Sequence, residues 1–343
     1  MSRPSGGGTE TIMNDLTYLT SHYDEKIRRI KETGAPLNFI FITDMHNRLN
    51  QRAVKSAPGQ YELAANAIRS MQYILDRCPE ISFVVSGGDI GNDYDPDPAK
   101  MRASHQEVMD ALYGLSVPVH CVIGNHDDGI GNSLDRGNRN IREVGIFPEE
   151  MHALCMKYSP TKENYYYIDD PKLPYRFVFL NTSDKAYFAD LEEKEPFGWR
   201  LEASNRQAEW LEGDALKTDR EIFIFSHSPI HNAGIFGSEG MPLGIKPYDD
   251  LFNGPRIYYA IKHCPQVRAM IAGHVHYDNL LYDDRILSIT SLCSFVQEWA
   301  PGCPKREFGT ITETAFDVFS VTEEKLVITR FGAGEDRVGT FLR

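Results

Sequence analysis

The sequence predicts an α/β fold built on a largely parallel sheet covered by helices. Two observations carry that expectation. Continuous apolar runs, the mark of strands buried on both faces, recur along the chain. Amphipathic helical spacings separate the first three runs, giving a β-α-β-α-β order.

Taken in order, Ile12, Leu16, Leu19, Tyr23, Ile27 and Ile30 sit at helical spacing, and Gly34 and Pro36 end that helix. Leu37 to Thr43 is an apolar strand followed at once by Asp44-Met45-His46. Leu63, Ala64, Ile68, Met71 and Leu75 mark a helix over 60–78. The strand Ile81 to Val85 runs into Gly87-Gly88-Asp89. A helix over 99–114 leads to the strand Val119 to Ile123, which ends in Gly124-Asn125-His126-Asp127. Residues 128–164 read as an irregular insertion, followed by strands at Tyr165–Ile168 and Arg176–Leu180. A helix over Gln207–Leu216 precedes the strand Ile222 to Phe225, which ends at Ser226-His227. A glycine-rich loop over 231–250 and a helix over 251–263, interrupted at Gly254-Pro255, follow. The strand Val267 to Ala272 ends in Gly273-His274-Val275-His276, and 286–291, 311–321 and 325–331 alternate as strands do. The expected organisation is a tail and helix over 1–36, then one domain over 37–343 with insertions around 128–164 and 231–250.

Composition is that of a soluble globular protein, 41% hydrophobic and 25% charged. A net charge of −13 argues against nucleic-acid or anionic-membrane partners, which need a cationic footprint. No run of about 18 apolar residues is present to span a bilayer. Met1 to Glu10 lacks the apolar core of a secretory signal. The six cysteines are scattered without a CxxC pair, which points to a reducing, cytoplasmic setting. Cys293 and Cys303 read as unrelated thiols.

The chemistry lies at strand ends. Five buried strands end in metal-ligand types: Asp44 and His46, Asp89, Asn125, His227, then His274 and His276. In sheets of this kind the carboxyl ends of strands line the ligand crevice. Each cluster alone has an ordinary explanation, as a helix cap, a turn residue or a satisfied core histidine. Seven ligand types at five strand ends do not. Imidazole with carboxylate suits zinc, iron and manganese, and seven ligands exceed one tetrahedral site but fit two ions sharing a carboxylate bridge. Asp89 is the central candidate for that bridge.

The order Asp-x-His, Gly-Gly-Asp, Gly-Asn-His-Asp, His, Gly-His-x-His resembles the calcineurin-like metallophosphoesterase superfamily over residues 37 to about 290. The resemblance implies a four-layer α/β/β/α sandwich, two mixed β-sheets flanked by helices, with a dinuclear centre between strand ends. It implies that Asp44, His46, Asp89 and His276 hold one ion, and that Asp89, Asn125, His227 and His274 hold the other. It further implies a bridging hydroxide attacking phosphorus in line, with His126 assisting the leaving group. Asp127 is a second catalytic candidate, either orienting His126 or capping the loop that follows.

Departures narrow the reading. The protein Ser/Thr phosphatase branch has an Asp three residues after the bridging Asp, then Arg-Gly, and an Arg before its Gly-Asn-His-Glu. Here those positions hold Asn92, Asp93, Tyr94 and Ile123, so the expectation is a small phosphodiester or phosphomonoester substrate. Asn164 to Thr182 has a looser similarity to small-molecule phosphodiesterase and acid-phosphatase branches. Arg48, Arg136 and Arg139 are candidates to reach a substrate phosphate, with plain solvation as the alternative. Tyr277 and Asp278 read as turn and packing residues. A nuclease of the same superfamily and a non-catalytic scaffold are the competing functions.

Overall fold

The computed structural model describes residues 17–47, 60–91, 97–129, 145–184, 201–230, 253–294, 304–307 and 309–342. Helix α1 (Thr17–Glu32) buries Leu19, Tyr23, Ile27 and Ile30 on one stripe, as their spacing predicts. It is followed by β1 (Leu37–Ile42), α2 (Gln60–Arg77), β2 (Ile81–Ser86), α3 (Pro98–Tyr113) and β3 (Val119–Cys121). Helix α3 starts where Asp97 caps it, accepting from Ala99 N at 3.0 Å, with Pro98 in the first turn where no amide hydrogen is needed.

The chain then forms α4 (Pro148–Cys155), β4 (Tyr166–Asp169), β5 (Tyr175–Phe179) and α5 (Asn205–Trp210), which runs on into one π turn over Leu211–Ala215. Strand β6 (Glu221–Ser226), helix α6 (Gly254–Lys262) and strands β7 (Val267–Ala272), β8 (Asn279–Asp283) and β9 (Ile286–Thr290) come next. Three strands close the order: β10 (Ala315–Val321), β11 (Lys325–Gly332) and β12 (Arg337–Thr340).

These strands make two six-stranded mixed sheets, as the family resemblance implies, where the apolar runs alone pointed to a largely parallel sheet. The first has the order β12-β11-β10-β1-β2-β3 and the second β4-β5-β6-β7-β9-β8. Each has a parallel interior, β1-β2-β3 and β5-β6-β7-β9, widened by antiparallel neighbours. The continuous apolar runs correspond to the parallel interiors. Two further expectations are corrected. The stretch read as an irregular insertion contains α4, whose helical start is Pro148. Gly254-Pro255 begins α6 and does not interrupt a longer helix, because proline is tolerated in a first turn. The glycine-rich loop 231–250 lies outside the described residues, as do Ile12 and Leu16.

The sandwich follows from a two-residue alternation inside the apolar runs. In β1 Phe39 and Phe41 point to the facing sheet, and in β6 Phe223 and Phe225 do the same. Phe39 stacks on Phe83 and Phe319 with centroids 5.2 and 5.0 Å apart and meets Phe225 edge-on at 5.5 Å. The intervening aliphatics face the other way: Val178, Ile222, Ile224, Val267 and Met270 pack with Ala208, Leu211, Ile257 and Ile261 of the helical layer. In β1, β5 and β6 the aromatics therefore lie between the sheets and the intervening aliphatics lie under the helices. Among the described residues no helix is long and apolar enough to cross a membrane. The five described cysteines, Cys78, Cys121, Cys155, Cys264 and Cys293, are buried free thiols, and Cys303 lies outside the described residues.

One histidine of this core has a purely structural role. His120 stacks on Phe179 at 5.2 Å and lies 3.2 Å from Tyr166 Oη, and burial pushes its pKa from 6.5 down to about 4. A histidine kept neutral by the fold contributes its full stability above the unfolded value and loses it as pH falls through the folded one. The affected window is therefore pH 6.5 down to about 4, worth about 3 kcal/mol at 1.36 kcal/mol per unit. His120→Phe should lose less stability than the parent between pH 7 and pH 4, as measured by urea unfolding at both values. Equal losses would exclude this account.

Candidate metal centre

The first three strands of sheet one and the central strands of sheet two end at the same seam. From sheet one come Asp44 and His46 after β1, Asp89 after β2, and Asn125 after β3. From sheet two come His227 after β6, and His274 and His276 after β7. All seven sequence candidates are brought together. Asp44, His46, Asp89 and His276 place one donor atom each within 4.8 Å of the others, and Asp89, His227 and His274 form a second such group. Asp89 is common to both, and Asn125 Oδ1 joins the second at 3.0 Å from His227 Nε2.

Backbone geometry explains how residues two apart face one centre. Asp44, His46, Asp89, His274 and His276 all have positive φ, between 43° and 67°. This left-handed region costs non-glycine residues about 1–3 kcal/mol each and persists only where surroundings enforce it. Here the enforcement is hydrogen bonding beyond the strand ends. Asp44 N donates to Gly88 O at 3.0 Å, His46 N to Asp89 O at 2.9 Å and Asn47 N to Ile90 O at 2.9 Å. Across the seam His274 N donates to Asp44 Oδ2 at 3.0 Å, and within sheet two Gly273 N extends the β6–β7 pairing to His227 O at 2.9 Å.

Two glycines let the loops touch. A Cβ on Gly124 would sit 2.1 Å from Asp89 Oδ1, and one on Gly273 would sit 2.0 Å from Thr43 Oγ1. These are close-approach glycines, and the Gly-Asn-His-Asp and Gly-His-x-His signatures need them for that reason.

The donor set fits cations. His227 Nδ1 lies 2.8 Å from Gly87 O, which fixes its proton there and turns Nε2 toward Asp89 Oδ2 at 3.2 Å. His276 Nε2 lies 2.9 Å from Asp44 Oδ1 and 3.3 Å from His46 Nε2, and His274 Nδ1 lies 3.3 Å from His227 Nε2. Burial would raise the Asp44 and Asp89 pKa values, but the surrounding histidines hold both below the usual carboxylate range. Burial would lower His227, but Asp89 and Asp44 raise it to about 9. For His276 burial is likewise outweighed by Asp44, and its pKa rises well above 6.5. His46 and His274 are lowered by burial, His274 to about 3. Two buried carboxylates thus draw protons onto two imidazoles, and a bound metal takes the place of such protons.

His126 lies beside this set. Its backbone N donates to Asp89 Oδ1 at 2.8 Å, its Nε2 is 4.0 Å from Asp89 Oδ2, and its ring meets the His46 ring edge-on at 4.9 Å. Asp127 is fully buried and spans the opposite side of the Asp89 loop. Its Oδ2 accepts from Asp89 N at 3.0 Å and Gly124 N at 2.7 Å, and its Oδ1 from Ile90 N at 2.7 Å and Gly91 N at 3.4 Å. Arg48, Asp93, Arg136 and Arg139 lie outside the described residues.

Comparison with known proteins places this arrangement. The family model for calcineurin-like phosphoesterases matches residues 37–278, more than half of the chain. The chain belongs to the calcineurin-like phosphoesterases. As a metallophosphoesterase it is a phosphoric ester hydrolase with a buried Asp/His cluster of the dinuclear type. No curated protein matches it in sequence. In fold it is similar to a dimetal phosphatase from Danio rerio, with 17% identity, TM-score 0.61, and coverage of 90% of this chain and 100% of that one. It is also similar to GAP50, the anchor in the inner membrane complex of Plasmodium, at 15% identity and TM-score 0.51, covering 90% and 89% of the two chains.

Two supporting residues escaped sequence reading, Ser104 and His105 of α3. They are buried against the metal loops, and only their place on the helix's inner stripe could have marked them. The glycine argument is testable. Gly124→Ala should displace the Asp89 carboxylate and lower metal affinity at least about tenfold, in the range seen when outer-shell support is lost. Elemental analysis after dialysis checks it, and an unchanged metal content would refute the close-approach account.

Proposed function

We propose that this phosphoesterase hydrolyses a small-molecule phosphomonoester or phosphodiester at a dinuclear metal centre bridged by Asp89. The observation that carries the reading is convergence: two donor groups share Asp89, and His126 stands next to them without completing either. Asp44, His46, Asp89 and His276 would hold one ion, and Asp89, Asn125, His227 and His274 the other, with manganese, iron and zinc all compatible. When bound, such ions supply Lewis acidity for the ester oxygens and an acidified water as nucleophile.

The chain's own residues do the rest. His227 donates its Nδ1–H to Gly87 O, so Nε2 is the nitrogen turned toward the metal position. The His126 backbone is tethered to Asp89 Oδ1, which ties the imidazole to the reacting centre while its Nε2 remains outside the ligand set. From there His126 can hand a proton to the departing oxygen. Asp127 works on the bridge, not on the proton: its carboxylate holds the amides of Asp89, Ile90, Gly91 and Gly124, so it fixes the Asp89 backbone. The net charge of −13 disfavours the nuclease alternative, since a polyanion needs a cationic groove.

The test is hydrolysis of an aryl phosphomonoester and an aryl phosphodiester by Mn²⁺-loaded protein, before and after chelation. Chelator-sensitive turnover of at least one is expected. His126→Ala should lower kcat by about 10²–10⁴ with metal content unchanged, the range for loss of a general acid. Metal-loaded protein that turns over neither ester would count against the proposal.

A further inference from the structure

Helix α3 contributes no ligand, yet its inner face touches all three metal loops of sheet one. Ser104 Oγ donates to Asn47 O at 2.7 Å, and Asn47 Nδ2 donates back to Ser104 O at 3.2 Å. This reciprocal pair clamps the residue that follows His46. One position on, the His105 ring lies with Nδ1 3.0 Å from Met101 O and Nε2 3.3 Å from Asp127 Oδ1. Each ring nitrogen faces an oxygen, one on its own helix and one on the third loop. The second loop is reached by packing: a Cβ on Gly91 would stand 2.2 Å from the His105 ring. Ser104, His105, Asn47 and Asp127 are all buried.

We propose that Ser104 and His105 are positioning residues that set the separation of the two metal sites by holding the Asp44–Asn47, Asp89–Gly91 and Asn125–Asp127 loops against one helix. The proposal rests on the dinuclear reading given above. The route from His105 to the centre is short. His105 abuts Asp127, and Asp127 holds the amides of Asp89, Ile90 and Gly91. Asp89 is the one residue common to both donor groups, so a shift of its backbone moves it relative to both sites together. Loss of the Ser104 clamp instead frees the Asn47 end of the first loop, which carries only Asp44 and His46. The two residues therefore have different signatures. His105 should govern the bridge, and Ser104 the site that holds Asp44, His46 and His276.

The experiment loads full-length protein with Mn²⁺ and reads stoichiometry by calorimetry and spin coupling between the two ions by electron paramagnetic resonance, with no assay of turnover. The parent should bind two coupled ions; a parent that binds none or one sinks the dinuclear reading itself, apart from this inference. With a two-ion parent, His105→Ala should weaken the second ion by about 10–100-fold, the range for outer-shell partners, and abolish or shift the coupling signal. His105→Gln, whose side-chain amide can occupy the same place beside Asp127, should restore most of the affinity. Val108→Ala removes buried apolar packing from the same helix without touching a polar contact, and it should bind both ions as the parent does. Parent-like stoichiometry and coupling in His105→Ala would overturn the proposal. So would loss of the second ion in Val108→Ala to the same degree, because helix stability alone would then be responsible. If His105→Ala does not fold, the Gln variant and Ser104→Ala decide: parent-like coupling and affinity in Ser104→Ala would overturn the clamp.

Discussion

The carboxylate of Asp89 is the constraint on which the rest of the centre depends. Oδ1 accepts from the His126 amide at 2.8 Å, and Oδ2 faces His227, His46 and His126 nitrogens at 3.2, 3.6 and 4.0 Å. It is buried, so burial acts to raise its pKa, but the surrounding histidines hold it below the usual carboxylate range. A buried charge of this kind is tolerable only when every side of it is answered. The His126 amide answers Oδ1, the imidazoles answer Oδ2, and Gly124 clears the space, while Asp127 holds the Asp89 backbone.

The centre is also where the two sheets are stitched. Ser294 N donates to Thr43 O at 2.9 Å, His227 Nδ1 meets Gly87 O at 2.8 Å, and His274 N meets Asp44 Oδ2 at 3.0 Å. Each contact joins a loop that leaves sheet one to a loop that leaves sheet two. Closure of each donor group therefore depends on the spacing between the sheets, and that is set by the aromatic layer of Phe39, Phe83, Phe177, Phe225 and Phe319. Metal binding and sandwich packing are coupled through this geometry, because ligands from both sheets must meet within the few ångströms that a cation spans.

The convergence of the seven candidate donors was legible in the sequence because each follows an apolar run, so strand ends could be located without knowing the sheet. The two mixed sheets were not legible from periodicity. Strands β8 and β12 carry only partial burial, as in Tyr282 and Val338, and give no apolar run. The alternation Ile222-Phe223-Ile224-Phe225 looked uniformly apolar, although its phenylalanines and isoleucines face different layers. Nor does sequence reveal left-handed backbone at Asp44, His46, Asp89, His274 and His276, since that conformation is imposed by neighbours distant in the chain. Asp127 was found as a residue, but its bonds to Asp89, Ile90 and Gly91 depend on how two loops cross.

The stretch matched by the family model ends at residue 278, but the sheet that carries Asp44 and Asp89 does not. Strand β1 pairs on one side with β2 and on the other with β10, with Phe39 opposite Phe319 and Phe41 opposite Asp317. Asp317 is buried and paired with Arg330 at 2.9 Å and Arg337 at 2.6 Å, and Ser291 Oγ donates to it at 2.7 Å. Arg330, itself without exposed surface, also bonds Asp278, two residues past His276. Asp278 in turn accepts from Leu292 N at 3.0 Å. A fully buried arginine held by two carboxylates from opposite sheets is costly to desolvate and is retained only where its geometry is complete. Here that geometry fixes the exit of the His274–His276 loop against strands from the C-terminal third of the chain. The last metal loop is thus held by residues that come after the matched region, and the ligand motifs alone do not specify it.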